Sequence, residues 1–319
     1  MSIPLDDLSR FPATPQHTTE RDTWLQWRRQ GIGGSDIGAL LGFSRYASPW
    51  SLWADKTGLI PPTETSERQH IGHDAETFLA QVFTRRTGLH IAGQQLWCEH
   101  PLHPWARCTV DGLVYEHPDP TPDAELGTAQ FKTDARRNWH NITDPINGIP
   151  AAIEAQCQWE MGVRQVEHCW LVVGFSGWNI DIFEIEHRPD DFAYMLDVAG
   201  RFWCDHVLTG APPEPDGSDA TSAAIAAVWP HHSEGETVAV DDLAELLTER
   251  GELKDLIANR ERRVKEIDNL LKARLGDAEI GTLDGRPHLT YRTVERKGYT
   301  VEPSTHRQLR TIPNKEHNR

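Results

Sequence analysis

Two short segments of the chain carry polar side chains in a pattern suited to metal-assisted hydrolysis. Asp111 is followed by a glycine that permits a tight turn, and Gln130 and Lys132 flank Phe131 in a run with strand character. Alternation along a strand places Gln130 and Lys132 on one face and Phe131 on the other. Cleavage of a phosphodiester bond needs an activated water and stabilised negative charge, which divalent cations held by oxygen ligands supply. A lysine beside the cation can help to deprotonate the water.

This pattern has an ordinary alternative. An Asp-Gly turn and a strand lysine are common features of sequences, and by themselves they favour a hairpin with a solvated lysine over an active site. Further motifs at consistent spacing must therefore decide between the two interpretations.

Five ordered segments supply that support. They are Trp24 to Arg28 running into residues 32–37 (IGGSDI), residues 72–76 (GHDAE), Asp111-Gly112, residues 130–133 (QFKT), and residues 155–158 (AQCQ) followed by Met161. In order and spacing they resemble the YqaJ-like phage recombinases of the lambda-exonuclease family, within the RecB-type PD-(D/E)xK nuclease group. The resemblance spans residues 24 to about 185, and the proline-rich residues 211–217 resemble the family's downstream region. It implies a restriction-endonuclease-like α/β (α+β) fold, a central mixed sheet flanked by helices.

The resemblance also implies a metal centre that binds Mg²⁺ or Mn²⁺. Glu76 falls where the family places a helix-borne ligand, and Asp111 matches the central bridging carboxylate. Gln130 and the backbone carbonyl of Phe131 complete the implied ligand set, and Lys132 matches the water-activating lysine. The ordinary alternatives are an exposed helix glutamate for Glu76 and a turn aspartate for Asp111; the ligand interpretation is favoured for both.

Three further residues are implied to act on the substrate or on the lysine. Gln156 matches the glutamine of the family's helical motif, which positions the lysine or the attacking water, and a helix-surface glutamine is an equal alternative. Gln158 is expected to be structural. Arg28 and Ser35 match positions that hold the terminal or scissile phosphate, where a helix N-terminus and a bidentate guanidinium favour an anion. An ordinary helix N-cap is the alternative for Ser35.

Gln130 departs from the family's usual glutamate. An amide oxygen can still bind a hard cation, but the site then carries one negative charge fewer. Some RecB-type nucleases have glutamine at this place. Glu125 lies five residues earlier and cannot substitute for it without a shift in strand register.

The cysteines predict neither a disulfide framework nor a metal cluster. Their number is odd, none forms a CxxC pair, and their default role is apolar packing; they are Cys98, Cys108, Cys157, Cys169 and Cys204. Some relatives carry an iron–sulfur cluster on clustered cysteines. Since no such cluster is visible here, we expect no iron–sulfur centre.

Apolar periodicity predicts the elements that position these residues. Helices are expected at residues 19–29, 36–41, 48–58, 72–88, 150–163 and 190–209, and strands at residues 91–100, 106–116, 126–133, 168–175 and 179–186. Phe78, Leu79, Val82 and Phe83 form the expected apolar stripe of the fourth helix. Helices, three strands, a helix, two strands and a helix in this order are typical of a mixed sheet flanked by helices.

Three regions are expected along the chain. Residues 1–210 form the nuclease domain, residues 211–239 a linker, and residues 240–319 a C-terminal helical and hairpin extension with a basic tail. Apolar residues recur on one face of the long helix at 240–275, which either packs on the nuclease body or, less favoured, forms a coiled-coil contact between subunits. Asp284-Gly285 predicts a hairpin turn. The tail is either solvated or in contact with DNA.

The composition sets limits on partners and location. The net charge of −16 is unusual for a nucleic-acid-binding protein, which commonly has a basic face, so we expect weak DNA affinity outside the site. No apolar run approaches the length of a membrane span, and the N-terminus lacks the pattern of a secretion signal. The expected location is the cytoplasm, that of the host if the chain is phage-encoded, with no membrane partner.

The function implied by the resemblance is digestion of linear double-stranded DNA from an end. This would expose single strands for recombination, with DNA ends and a single-strand annealing protein as partners and a homo-oligomer, a ring trimer in relatives, as the assembly. Two alternatives stay open: an endonuclease or single-strand nuclease on the same fold, and a degenerate protein that binds DNA ends without cutting. Gln130 is the feature that favours the degenerate protein.

Overall fold

A computed structural model describes most of the chain as two compact units, residues 1–230 and residues 231–319. The described residues are 18–62, 66–118, 121, 124–136, 139, 145–146, 148–176, 179–296, 298 and 305–311, with only the backbone described for 18–20, 145 and 146.

Four helices open the first unit: α1 (Thr18–Arg29), α2 (Gly34–Leu40), α3 (Pro49–Lys56) and α4 (Glu67–Thr87). Helices α3 and α4 begin at serine N-caps, Ser48 and Ser66, whose hydroxyls accept hydrogen bonds from the backbone N–H three residues later. Helix α4 ends at Gly88 in the left-handed conformation. The caps of α4, the helix that carries Glu76, fix where this helix begins and ends.

The central sheet has five strands in the order β1 (His90–Ala92), β4 (Gly112–Tyr115), β5 (Glu125–Asp134), β8 (His168–Phe175) and β9 (Asn179–Glu186). Strands β5 and β8 are parallel and the other neighbours are antiparallel. Helix α5 (Ala151–Arg164) lies in the connection between the two parallel strands, as a parallel pair requires. This mixed sheet confirms the predicted fold class.

Two predicted strands are each divided in the structure. Strands β2 (Leu96–His100) and β3 (His103–Val110) form a separate antiparallel ribbon, and the chain leaves that ribbon for the central sheet at Asp111. A second short pair, β6 (Pro145–Ile146) and β7 (Ile149–Pro150), precedes α5. The site residue Asp111 therefore lies at a junction of two sheets and not within one strand.

Apolar clusters lie on both faces of the central sheet. Leu79, Val82 and Phe83 of α4 pack on one face, whereas Cys157 and Met161 of α5 pack on the other. The prediction that Phe78 belongs to the buried apolar stripe of α4 was wrong, since Phe78 is 43% exposed. A third cluster joins α2, α3 and α5 to the ribbon and to α6 (Pro189–Phe202), which continues as a π-helical turn at Trp203–Val207.

The predicted linker at residues 211–239 contains a packed helix, α7 (Asp219–Val228). The Thr221 hydroxyl donates to Ser48 Oγ at 2.7 Å, and the rings of Trp50 and Trp229 lie 5.9 Å apart. The first compact unit thus extends to Pro230, beyond the expected boundary at residue 210.

The second unit contains a long helix and a hairpin. Helix α8 (Ala244–Leu275) follows a 3₁₀ turn at Asp241–Leu243. Strands β10 (Ile280–Leu283) and β11 (Arg286–Thr290) pair across a turn in which Asp284 and Gly285 both have positive φ, 50° and 74°, as a two-residue hairpin loop requires. Among the helices that the structure describes, none is long and apolar enough to cross a membrane.

Candidate active site

Asp111 is fixed where the chain passes from the β2–β3 ribbon to the central sheet. Only 9% of the residue is exposed. Its Oδ2 atom accepts hydrogen bonds from the Phe131 backbone N–H, at 2.8 Å, and from Gln130 Nε2. Burial raises the pKa of the Asp111 carboxyl, although the positive charge of Lys132 opposes the shift. A carboxylate held in this way is a preorganised oxygen donor.

Glu76 of α4 faces the same space as Asp111. Gln95 joins the two acids, because its Nε2 atom donates to Glu76 Oε2 at 2.8 Å and to Asp111 Oδ1 at 3.3 Å. His73, one turn earlier on α4, places its Nδ1 atom 3.4 Å from Glu76 Oε1. Burial and repulsion by Asp111 raise the pKa of Glu76. A bound cation would remove this repulsion.

Lys132 and Gln130 project from the same face of β5, as their alternation predicts, and Phe131 packs in the cluster on the other face. Gln156 of α5 connects them. Lys132 Nζ donates to Gln156 Oε1 at 3.0 Å, and Gln156 Nε2 donates to Gln130 Oε1, also at 3.0 Å. The structure thus brings Gln156, Lys132, Gln130 and Asp111 into one hydrogen-bonded chain.

The direction of this chain follows from the lysine. An ammonium group can only donate, so the oxygen of Gln156 faces Lys132 and its nitrogen faces Gln130. The oxygen of Gln130 must then face Gln156, which leaves its nitrogen to donate to Asp111. Ligation of a cation beside Asp111 through the Gln130 oxygen requires both amides to reorganise.

Arg28 and Ser35 lie together on the other side of Gln156. Arg28 Nη2 donates to Ser35 Oγ at 3.1 Å and to Asp36 Oδ1 at 3.0 Å, and Lys56 Nζ lies 2.6 Å from Asp36 Oδ2. Although burial opposes its ionisation, Lys56 and Arg28 hold the pKa of Asp36 below its ordinary range. The alternative interpretation of Ser35 as an N-cap was wrong, because the N-cap of α2 is Gly33.

A cleft of about 80 Å³ lies beside Gln156. Arg28, Ser35 and Arg107 line one part of it, and Gln156 and Glu160 line another. Gln156 therefore lines the cleft that contains the candidate phosphate-binding residues and also accepts the hydrogen bond from Lys132. This arrangement can hold a phosphate group next to the group that orients Lys132.

Glu160 was not singled out from the sequence, although it lies one helical turn after Gln156. It is 1% exposed, and its Oε1 atom accepts from Gln156 Nε2 at 2.8 Å. Burial raises the pKa of Glu160 well above its ordinary value. A Cβ atom on Gly34 would lie 3.0 Å from Glu160 Oε1 and 3.1 Å from Gln156 Cγ, so a glycine allows α2 to approach this pair.

Other residues considered from the sequence lie apart from the cluster. Gln158 is 1% exposed, donates to the Glu186 carbonyl at 2.8 Å and accepts from the Arg188 N–H at 2.7 Å. Glu125 forms an ion pair with Arg164. Gln95 joins the two acids from a loop whose sequence has no feature that signals such a contact.

The arrangement suits a hard cation with few charged ligands. Within the described residues no group of three or more His, Cys, Asp or Glu side chains could hold a metal ion. Glu76 and Asp111 supply two carboxylates, which the side-chain amides of Gln95 and Gln130 contact through their nitrogens. The carbonyl oxygen of Phe131 lies 3.5 Å from Gln130 Nε2. Mg²⁺ is commonly held by one or two carboxylates together with substrate phosphates and water, so these residues fit it.

The fold and the cluster define a mixed α/β protein with a candidate hydrolytic centre at the edge between two sheets. The profile of the YqaJ-like viral recombinase domain matches residues 23–167. The uncharacterised protein YqaJ of Bacillus subtilis (strain 168) is 32% identical over 269 residues, covering 82% of this chain and 80% of the relative. The chain belongs to the YqaJ-like viral recombinase family, which confirms the resemblance seen in its motifs.

Solved structures give weaker matches. An alkaline exonuclease from Laribacter hongkongensis is 16% identical, with a TM-score of 0.46 over 60% of this chain and 94% of that one. A phage-related exonuclease from Haemophilus somnus 129PT is 10% identical, with a TM-score of 0.37 over 66% of this chain and 96% of that one.

Proposed function

We propose that this chain is a metal-dependent deoxyribonuclease that digests linear double-stranded DNA from an end and exposes single strands for recombination. The observation that carries the proposal is the cluster in which Glu76, Asp111 and Lys132 converge through three glutamine side chains. Two acids and a lysine at a defined edge of a sheet are what metal-assisted phosphodiester hydrolysis requires. Membership in a viral recombinase family supports the role in recombination.

Each residue of the cluster has a defined task in this proposal. A divalent cation, Mg²⁺ or Mn²⁺, would be held by Glu76, Asp111 and neutral oxygen donors, and it supplies Lewis-acid stabilisation of charge on the phosphate. Lys132, held by Gln156, orients the water that attacks the phosphorus atom. The water loses a proton as its oxygen bonds to phosphorus, the bond from phosphorus to the leaving oxygen breaks, and the leaving oxygen takes up a proton from solvent.

The cleft beside Gln156 is proposed to bind a phosphate at the DNA end. Arg28, Asp36 and Lys56 form a group of two cations and one anion, in which Asp36 and Lys56 are buried, so the group carries one net positive charge. That excess charge attracts an anion even in a chain whose overall charge is −16. Ser35, which is exposed, adds a hydroxyl donor at the same place.

The proposed partner and assembly follow from the product and the substrate of end digestion. The product of end digestion is a single strand, so a single-strand annealing protein is the partner that would consume it. A homo-oligomer that encloses the duplex would keep the enzyme on its substrate, and the cytoplasm is the proposed place of action.

A digestion assay with matched substrates tests the proposal. The purified chain should degrade an end-labelled linear duplex in Mg²⁺ or Mn²⁺, leave a closed circle of the same sequence intact, and be inactive in EDTA. Degradation of the circle would favour an endonuclease on the same fold. Binding of DNA ends without cleavage would favour the degenerate protein, for which the orientation of Gln130 towards Asp111 is the supporting observation.

A further inference from the structure

Gln95 lies between the two carboxylates of the proposed metal site. Its amide nitrogen contacts Glu76 Oε2 at 2.8 Å and Asp111 Oδ1 at 3.3 Å. The repulsion between these acids contributes to the raised pKa of Glu76. The amide nitrogen thus occupies the space that is most attractive to a cation.

The backbone places the Gln95 side chain there at a conformational cost. Its φ of 57° lies in the left-handed region, which costs a non-glycine residue about 1 kcal/mol or more. Gly93, two residues earlier, has a φ of 59°, so the loop turns sharply before β2. Glycine would suit position 95 better on backbone grounds, and the contribution of Gln95 is therefore its side chain.

The proposed site has only two charged ligands among the described residues. Two carboxylates converge, and no third His, Cys, Asp or Glu side chain completes a metal-binding group among the described residues. The oxygen of Gln130, the neutral donor expected from the sequence, accepts a hydrogen bond from Gln156 at 3.0 Å. A further neutral oxygen donor is needed from another residue, since Mg²⁺ prefers about six oxygen ligands.

We propose that Gln95 is a reversible ligand of the divalent cation. Its amide nitrogen contacts both carboxylates in this structure, and rotation of the amide would present its oxygen to a cation held between them. Rotation about the terminal bond exchanges the nitrogen and oxygen positions without a backbone movement, because terminal amide torsions are broad and roughly two-fold. This inference rests on the proposed function, since it assumes a cation between Glu76 and Asp111.

Calorimetric titration of the DNA-free, full-length chain with Mn²⁺ tests this role without reference to activity. Gln95→Gly removes the side chain and suits the positive φ, so the variant should fold. We expect its Kd for Mn²⁺ to rise about ten- to hundredfold, the range typical of residues that support a metal site. Gln95→Glu restores an oxygen donor and should bind Mn²⁺ at least as tightly as the parent.

The neighbouring Gln94 provides the matched control. It is exposed in the same loop, so Gln94→Gly adds flexibility there without removing a contact to either acid, and its Kd should equal that of the parent. Mn²⁺ binding by Gln95→Gly that is unchanged or tighter than the parent's would overturn the inference, because Gln95 would then contribute no ligand to the cation. Failure of the parent itself to bind Mn²⁺ would refute both this inference and the proposed metal-dependent function.

Discussion

Lys132 and Asp111 lie at opposite ends of one chain of side-chain hydrogen bonds. Gln156 and Gln130 connect them, and each amide has its direction fixed by the lysine, which can only donate. The reactive groups are therefore positioned by neutral residues whose roles a charge-based search would overlook. Such a network fixes one arrangement of its side chains, because each hydrogen bond sets the orientation of the next amide.

Asp111→Ala and Lys132→Ala should each reduce cleavage at least about hundredfold, as expected when a group that acts on the water or its cation is removed. Asp111→Ala also leaves the Phe131 N–H without its acceptor, which should lower the free energy of unfolding by about 1–3 kcal/mol. Single-turnover digestion together with thermal melting measures both effects. A folded variant that digests DNA at nearly the parental rate would show that the site has been assigned wrongly.

Gln130→Glu should lower the half-saturating Mg²⁺ concentration, by roughly tenfold if affinity follows the charge of the ligands. The Gln130 nitrogen faces Asp111 Oδ2, so a glutamate there places two carboxylates in contact, and a cation relieves their repulsion. The measurement is a Mg²⁺ titration of both proteins. An unchanged Mg²⁺ requirement would mean that Gln130 acts only through its hydrogen bonds.

Arg28→Ala should weaken the preference for 5′-phosphorylated ends by about tenfold, the loss of one hydrogen bond to a charged group. Arg28 lines the proposed phosphate cleft and lies outside the contacts of Glu76 and Asp111, so the Mg²⁺ requirement should stay the same. Arg29→Ala is the matched control, since Arg29 instead pairs with Asp55 at 3.6 Å. Equal end preference in the Arg28 variant and the parent would make Arg28 a structural residue.

The helices and most strands were predictable from apolar periodicity, because each has one face in a core cluster. The interruptions of two predicted strands at Gln95 and Asp111 were not predictable from apolar periodicity. The apolar pattern carries no information about which neighbour a strand pairs with. Asp111 joins a two-stranded ribbon to a five-stranded sheet, and only the tertiary structure shows that junction.

The candidate site was predictable only in part. The family-like motifs identified Glu76, Asp111 and Lys132 as candidate site residues. The roles of Gln95 and Glu160 depend on contacts with residues that are distant in the sequence. Glu160 shares a helix face with Gln156, and that spacing alone is equally typical of a solvated helix. Its burial follows from the close approach of α2 at Gly34, which local sequence does not reveal.

Helix α5 should make the stability of the protein depend on pH through Glu160. Its pKa is raised in the folded state, so the stabilising contribution of the protonated form is complete below the unfolded pKa and is lost as pH rises through the folded pKa. Glu160→Gln cannot ionise. The unfolding free energy of the variant minus that of the parent should therefore increase as pH rises above the unfolded pKa of a glutamate, about 4.3.

Glu154→Gln on the same helix is the control for that comparison. Glu154 is 2% exposed and its Oε1 atom accepts from Arg188 Nη1 at 2.6 Å. Loss of this ion pair should lower stability throughout the same pH range, because a buried carboxylate acceptor is replaced by a neutral amide, although Arg188 keeps its pair with Asp191. Denaturant unfolding at several pH values measures both variants, and a pH-independent difference for Glu160→Gln would contradict the assigned burial effect.

The whole chain combines an acidic net charge with a locally cationic cleft. The charges of Arg28, Asp36 and Lys56 sum to one positive charge, so the acidic excess of the chain lies on other residues. A protein of this kind should hold DNA at few phosphates, so its affinity should change little with salt compared with that of a protein that covers many phosphates. Digestion from an end needs only such local contacts.

The first compact unit should depend on helix α7 for part of its stability. Chains ending at residue 230 and at residue 210 differ by helix α7, which packs on α3 through Thr221 and Ser48 and brings Trp229 to Trp50. Without α7, Trp50 gains exposure and the buried Ser48 hydroxyl loses a partner, so residues 1–210 should melt several degrees below residues 1–230, roughly 2–4 °C for each kcal/mol lost. Thr221→Val in residues 1–230 removes only the hydroxyl and should give a smaller decrease. Equal melting temperatures for residues 1–210 and 1–230 would place the boundary at residue 210, as the proline-rich sequence had suggested.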